Sequence, residues 1–220
     1  MQKIYGVCLA CMLLSVFTYA QNESSEDYTR GPAIGVYFFL NDFKTASEIR
    51  ATSLNSVLDK KQFGKVKEMS PGLAITYMKG ISNNLDYAIT ASGSFVDYAL
   101  QNRGTTTGSE KFLLEVDAMV IGKMFTDRYW FVPNIQIGVG ASKYGSYYGA
   151  YLPAGLGLQL NFFNEAYLVI NSQYRIPITE TSQYHFYHSL GIVGNLGKKQ
   201  DPDATSKKLK TRPEMMLTAN

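Results

Sequence analysis

Four charged residues interrupt strand-like segments of this chain that are otherwise apolar or built from small residues: Glu115, Asp117, Lys123 and Arg175. The first three stand at odd positions of one segment, so a β-strand would project them from a single face. Unpaired charge is costly to bury, so side chains enclosed together are expected to pair. We predict that the four residues form an interior ion-pair network in which Arg175 pairs with Glu115 or Asp117. A gated ion path and a catalytic carboxylate are the alternatives.

Two histidines and a serine near residue 190 could supply a base and a nucleophile: His185, His188 and Ser189. A Ser–His pair must be in hydrogen-bond contact and needs an orienting acid. His188 and Ser189 are neighbours on a predicted strand and point to opposite faces, while His185 and Ser189 share a face but lie about 13 Å apart. We therefore predict no catalytic residue and no enzyme activity.

The chain offers little for a cofactor, a metal or a nucleic acid. Cys8 and Cys11 are its two cysteines, and both fall in the leader. With two histidines in all, no metal site is predicted, and no cofactor is expected. The formal net charge of +3 is too small to indicate a basic nucleic-acid-binding face.

The two ends of the chain differ in composition from its middle. Residues 1–20 have the pattern of a secretory signal peptide, with Lys3 before an apolar run over 7–17 and a small residue at the end. A short segment over 21–30 follows. Residues 198–220 form a basic, polar tail whose low hydrophobicity predicts disorder, and we expect it in the periplasm.

Period-2 alternation of apolar and polar residues predicts eight strands between the leader and the tail. Several are about 12–15 residues long, enough to cross a membrane at a tilt, which takes about 9–11 residues. Their polar faces carry Gly, Ser, Thr, Asn and Gln, which fit the narrow interior of an eight-stranded barrel. The predicted strands are 33–40, 71–79, 85–98, 111–125, 129–142, 150–163, 166–178 and 184–196.

The gaps between these strands alternate between long and short. Outer-membrane barrels have an even number of antiparallel strands, short periplasmic turns and longer extracellular loops. The sequence thus predicts an all-β fold over 31–197: an eight-stranded, antiparallel, up-and-down transmembrane β-barrel. The predicted periplasmic turns are 80–84, 126–128 and 164–165, and the predicted outward loops are 41–70, 99–110, 143–149 and 179–183.

The first outward loop is the longest and has a patchy helical spacing of apolar residues within 45–61. This spacing is compatible with a short amphipathic helix that caps the barrel mouth or lies at the membrane surface. A mobile loop without a helix is the alternative.

Over about residues 31–196, the chain resembles the outer membrane protein β-barrel domain family, the small barrels related to OmpA and OmpX. The resemblance rests on the leader, the eight-strand rhythm and three runs of sequence. These are Pro153-Ala154-Gly155-Leu156-Gly157-Leu158, Phe162-Phe163-Asn164-Glu165 and His188-Ser189-Leu190-Gly191-Ile192.

These features favour an integral barrel of the cell outer membrane, exported by its signal peptide, with a packed lumen and a structural or surface-binding role. The expected partners are outer-membrane lipid and lipopolysaccharide, with other envelope proteins as candidates through loop 41–70, and no nucleic acid. A narrow pore and a periplasmic, lipocalin-like lipid-binding barrel are the alternatives. The ligand and the oligomeric state are not encoded in these patterns.

Overall fold

The computed structural model describes residues 29–59, 63–96, 111–162 and 166–196. Eight antiparallel strands pair in chain order, and β1 also pairs with β8, so the sheet closes into a barrel. The predicted eight-stranded fold is confirmed. The strands are β1 (Ala33–Asp42), β2 (Ser70–Ser82), β3 (Leu85–Val96), β4 (Lys111–Lys123), β5 (Phe131–Tyr144), β6 (Tyr147–Phe162), β7 (Ala166–Pro177) and β8 (His185–Asn195).

Several predictions fall outside the described residues. They are the signal peptide over 1–20, most of the 21–30 segment, the loop over 99–110, the turn at 164–165 and the tail over 198–220.

The long connection between β1 and β2 contains α1 (Phe43–Ala51), α2 (Leu54–Asp59) and a 3-10 turn (Val66–Glu68). Asp42 caps α1, because its Oδ1 accepts a hydrogen bond from the Thr45 backbone N–H at 2.8 Å. Helix within 45–61 is therefore present, as two short helices. No helix in the described ranges has the length and apolar character needed to cross a membrane.

Side chains alternate across the barrel wall as the period-2 patterns predict. On β5, Val132, Asn134 and Gln136 point into the lumen and are buried, whereas Ile135 and Ile137 point outward and are exposed. The same alternation runs along the other strands, so polar residues and a buried cluster of aromatic and other apolar residues line the interior, while large apolar residues cover the exterior.

One predicted loop is wrong. Residues 143–149 form part of the β5–β6 hairpin, whose strands are joined by the two-residue turn Gly145-Ser146. Lys143 pairs with Tyr148 in the ladder, although both lie in a stretch whose polar, Gly-containing composition suggested a loop. Gly145 has φ of 59°, a left-handed conformation that a tight hairpin needs and that glycine adopts readily.

Three lumen aromatics lie directly opposite glycines on the neighbouring strand. The pairs in register are Phe39 with Gly72, Tyr37 with Gly191 and Tyr151 with Gly140. A Cβ atom built on any of the three glycines would fall within 2.4 Å of the facing ring. These glycines therefore provide the space in which the large rings pack inside a narrow barrel.

Candidate functional site

We call the end of the barrel with α1 and the 178–184 connection the mouth end, and the opposite end, with the 83–84 and 124–130 connections, the turn end. Between them the lumen contains two separate ion clusters. The four charged residues singled out by the sequence are divided between these clusters.

The mouth-side cluster centres on Arg175, which reaches from β7 to two carboxylates of β4. Its Nη1 lies 2.5 Å from Glu115 Oε2, and its Nη2 lies 3.0 Å from Asp117 Oδ2. All three side chains are almost completely shielded from solvent. The cation is thus held between two carboxylates, as buried charge requires.

Aromatic side chains enclose this cluster. The Arg175 guanidinium lies 3.9 Å from the ring centre of Tyr187 and 5.0 Å from that of Tyr151. The Tyr151 hydroxyl donates to Asp117 Oδ2 at 3.4 Å, and His185 Nε2 lies 3.4 Å from Glu115 Oε1. Cation–π contacts and the additional polar partners stabilise an arrangement that would otherwise be expensive to desolvate.

Lys123 belongs to the turn-side cluster, together with three residues that the sequence reasoning missed. Its Nζ lies 3.0 Å from Asp86 Oδ1 and 3.1 Å from Asp127 Oδ2. Arg30 Nε lies 3.4 Å and 3.1 Å from the same two side chains, so two cations face two carboxylates. Arg30 also donates to Gln159 Oε1.

The signal that could have revealed Asp86 is its place in the inward-facing set of β3, where it is fully buried. Arg30 and Asp127 lie outside the strands, and no periodicity marks them. Burial alone would raise the pKa of the Asp127 carboxyl, but the charges of Arg30 and Lys123 and their hydrogen bonds outweigh it. The pKa of Asp127 is consequently held below its ordinary value.

A layer of amides fills the lumen between the clusters. Gln173 Nε2 donates to Gln136 Oε1 at 2.9 Å, and Gln136 Nε2 donates to Asn171 Oδ1 at 2.7 Å and to Asn134 Oδ1 at 2.8 Å. The cavity beside this layer has a volume of about 20 Å³. That volume holds about one water molecule, so the described side chains leave little free space beside this layer.

Phe43, the first residue of α1, closes the lumen at the mouth end. Its ring stacks on His185 with 4.5 Å between centroids, and it packs with Val96 and Leu113. Of the two positions expected for the helix, α1 thus takes the one that caps the barrel mouth.

A larger cleft of about 460 Å³ lies beside α1 at the mouth end. Ser47 and Arg50 line it from the helix, and Thr179, Glu180 and Tyr184 line it from the β7–β8 connection. Arg50 stacks over the Tyr184 ring at 3.7 Å. The volume is in the range of small-ligand pockets, and the lining offers one cation, one carboxylate and hydroxyl groups.

The histidines and serine near residue 190 are arranged as the strand geometry requires. His185 and Ser189 point into the lumen and are buried, while His188 points outward. His188 Nδ1 shares a hydrogen bond with Ser172 Oγ at 3.0 Å rather than with Ser189. Within the described ranges, no cluster of three or more His, Cys, Asp or Glu residues is arranged to hold a metal ion.

The outer surface of the barrel is a continuous apolar band. On β5 it runs from Phe131 to Val139, eight residue steps that cover about 20 Å along the axis of a tilted barrel. A membrane-spanning barrel has an apolar band of about 25 Å. Exposed members on other strands include Ile34, Val36, Phe38, Leu73, Ile75, Ile89, Val116, Val120, Leu152, Leu156, Ile170, Leu190 and Ile192.

Exposed aromatic side chains lie at both edges of this band. Phe125, Tyr129 and Trp130 lie at the turn end, and Tyr147 and Tyr148 lie on the β5–β6 hairpin at the mouth end. Aromatic girdles of this kind occur where a barrel wall meets the two membrane interfaces.

No family model and no curated protein matches this chain. Solved structures that are similar to it include the N-terminal β-barrel domain of Pseudomonas aeruginosa OprF, at 10% identity and a TM-score of 0.47, covering 76% of this chain and 98% of that one. Neisserial surface protein A matches at 11% identity and a TM-score of 0.46, covering 75% of this chain and 96% of that one. Ail, the attachment invasion locus protein of Yersinia pestis, matches at 11% identity and a TM-score of 0.45, covering 77% of this chain and 98% of that one. Likenesses of this strength imply nothing about activity, ligand or partner.

Proposed function

We propose that this chain is an integral outer-membrane β-barrel with a closed lumen and a structural or surface-binding role. The observation that carries the proposal is the distribution of side chains across the wall: the charged and amide groups of the strands are buried in the interior, and large apolar groups cover the exterior. Apolar surface is stable where water is absent, and a closed barrel leaves no backbone polar group unpaired in lipid.

The same distribution argues against a soluble, lipocalin-like barrel. Such a barrel binds an apolar ligand in its lumen and presents polar residues to water. Here Arg175, Lys123 and Glu115 lie inside, while Ile137 and Leu156 are about two-thirds exposed on the outside. An apolar exterior of this extent in water would be an aggregation hazard.

The packed lumen supports a non-conducting barrel over a narrow pore. Two ion clusters and an amide layer cross the interior, and the cavity between them is only about 20 Å³. A conducting path needs a continuous, hydrated channel, so at least one cluster would have to open.

The mouth end is the proposed binding surface, and we assign it to the cell exterior. An outer-membrane barrel places its longer loops outside, and residues 43–69 form the longest described connection. The cleft of about 460 Å³ beside Arg50 and Glu180 opens at this end. Lipid and lipopolysaccharide are the proposed partners of the wall, and envelope proteins those of the mouth. We propose no catalytic role and no nucleic-acid partner.

To test the proposal, a charge is placed on the outer wall by the substitution Ile137→Lys. A lysine on the lipid face near mid-membrane costs about 2–4 kcal/mol, so the variant should lose most of its membrane insertion. At an exposed position of a soluble protein the same change would be nearly neutral. Insertion is measured by membrane fractionation and by heat-modifiable migration in detergent.

Glu180→Lys, on the exposed β7–β8 connection, is the matched control and should insert like the original chain. Release of the original chain as a detergent-free soluble protein, with Ile137→Lys behaving identically, would overturn the proposal.

A further inference from the structure

The connection between β1 and β2 exposes large apolar side chains over a short stretch outside the strands. Leu54 and Leu58 of α2 are 49% and 51% exposed, and Phe63 and Val66 are 42% and 65% exposed. Four such residues fall within 13 positions of the sequence, and we call them the apolar patch. Exposed apolar patches mark interaction surfaces.

Helix α2 buries one apolar residue and exposes two others. Val57 is buried, so it anchors one side of the helix to the protein. Leu54 and Leu58 are spaced i, i+4 and share another side, which is exposed. The helix is therefore fixed in place and still presents leucines outward.

The patch lies beside the outer wall of the barrel rather than over its lumen. The Phe63 ring packs edge-on against Phe186 at 5.8 Å, and Phe186 lies 4.9 Å from Tyr174. Phe186 and Tyr174 point outward from β8 and β7. Since these rings lie on the same outer face as the apolar band, Phe63 continues that band near the rim.

Cationic side chains accompany the patch. Arg50 stacks on Tyr184, whose ring in turn stacks on Tyr174, so the guanidinium is held at the outer rim. Lys65 and Lys67 are exposed on either side of Val66. Residues 43–69 contain six Lys or Arg and three Asp or Glu, a net charge of +3 equal to that of the whole protein.

We infer that residues 54–59 and 63–67, together with Arg50, form an interfacial anchor that docks on the outer leaflet at the mouth end. Leu54, Leu58, Phe63 and Val66 enter the boundary between headgroups and acyl chains, while Arg50, Lys65 and Lys67 bind anionic phosphate groups of the lipid. Apolar side chains with basic neighbours are what membrane-surface segments use. The inference rests on the proposed membrane location and adds a second lipid contact to the strands.

Continuity with the barrel wall favours lipid over a protein partner. A partner bound above the mouth would reach the cleft beside Glu180, whereas the Phe63–Phe186 contact holds this patch against the flank of the barrel. In a membrane, the surface next to that flank is the headgroup region of the leaflet.

The first experiment measures depth with a single tryptophan. Trp130 is the only tryptophan of the chain, so Leu58→Trp and Val66→Trp are each made in a Trp130→Phe background and reconstituted in phosphatidylcholine–phosphatidylglycerol vesicles. Both are expected to show blue-shifted emission that brominated lipids quench and aqueous iodide does not. Glu180→Trp, at the mouth, is the control and should be quenched by iodide.

Water-like emission at both positions, in protein that still migrates as a heat-modifiable barrel, would overturn the inference while leaving the proposed function intact. Emission that shifts to the blue only in native envelopes, and not in the vesicles, would assign the patch to a protein partner and would also overturn it. Failure of every variant and of the unmodified chain to insert would instead contradict the proposed function.

The second experiment tests the basic residues. Lys65→Gln and Lys67→Gln are made together in the Leu58→Trp protein, and docking of the anchor is read from the Trp emission. On anionic vesicles at low salt, the docking equilibrium should weaken by about fivefold for each lysine removed. Docking on phosphatidylcholine alone should not change. Equal docking of the two proteins on anionic vesicles would remove the phosphate contacts from the inference.

Discussion

Arg175 is the largest of the fully buried side chains in the described ranges, and its surroundings explain why the fold tolerates it. Glu115 and Asp117 neutralise it, and Tyr187 covers its face. Such a cluster adds little net stability compared with apolar packing, yet loss of one member is costly because it leaves charge buried without a partner.

We predict that Arg175→Met destabilises the barrel by about 3–5 kcal/mol, because Glu115 and Asp117 remain buried without their cation. The free energy of unfolding is measured by urea titration in detergent micelles, with heat-modifiable migration as the readout of the folded fraction. Lys79→Met, which removes an exposed lysine, is the control. Adding Glu115→Gln and Asp117→Asn to Arg175→Met should recover part of the loss, and no recovery would argue against charge as its cause.

The turn-side cluster makes the free energy of unfolding depend on pH in the acid range. The pKa of Asp127 lies below its ordinary value in the folded protein because Arg30 and Lys123 favour the carboxylate over the opposing effect of burial. The ionised form therefore contributes stability above the unfolded pKa of about 3.9, and that contribution is lost as the pH falls through the lower, folded pKa.

Asp127→Asn should accordingly lower stability at neutral pH and flatten its decline in the acid window below about pH 4. Unfolding midpoints measured across this range, with Glu180→Gln as an exposed carboxylate control, test the prediction. A variant whose decline in acid equals that of the original chain would exclude Asp127 as a source of the pH dependence.

At the scale of elements, strand register decides which side chains can fit the lumen. Gly191 of β8 lies opposite Tyr37 of β1, and a Cβ there would meet the Tyr37 ring at 2.3 Å and the Val36 carbonyl oxygen at 2.7 Å. The glycine therefore accommodates both the ring and the close approach of the neighbouring strand.

Gly191→Ala is expected to destabilise the barrel by about 1–3 kcal/mol through overpacking. Gly194→Ala is the matched control, since it lies on the same strand and a Cβ there has no neighbour within 4 Å. Both are measured by unfolding in detergent. Equal stability of the two variants would mean that the contact with Tyr37 is not a constraint.

At the scale of the whole molecule, several layers of side chains follow one another along the described lumen. Phe43 caps the mouth, the Arg175 cluster lies beneath it, and the Lys123 cluster lies at the turn end. We propose that these layers together close the lumen. Removing one layer leaves the others in place.

The purified barrel should therefore give no steady openings in planar bilayers, and Phe43→Ala should remain silent because both ion clusters persist. A wide porin in the same bilayers is the positive control. Regular single-channel steps from the original chain would favour the pore and would show that the packed lumen opens in the membrane.

The number of strands, their approximate limits and the faces of their side chains can all be predicted from the sequence alone. These follow from a local rule, because successive residues of a strand point to opposite sides. Glu115, Asp117, Lys123 and Arg175 all lie in the lumen for this reason. The sequence predicts a loop over 143–149, whereas the structure has a tight hairpin there, because Gly, Ser and Lys occur both in turns and at strand ends.

Which inward residues meet depends on the three-dimensional arrangement of the strands. Arg175 reaches carboxylates that are about 60 positions away, while Lys123 joins Asp86, Asp127 and Arg30 at the other end. The height of each residue in the lumen depends on the tilt and stagger of all eight strands, which no single strand encodes. The placement of the described residues between β1 and β2 is likewise fixed by Phe43 inside and Phe63 outside, two contacts with β8 that local periodicity does not contain.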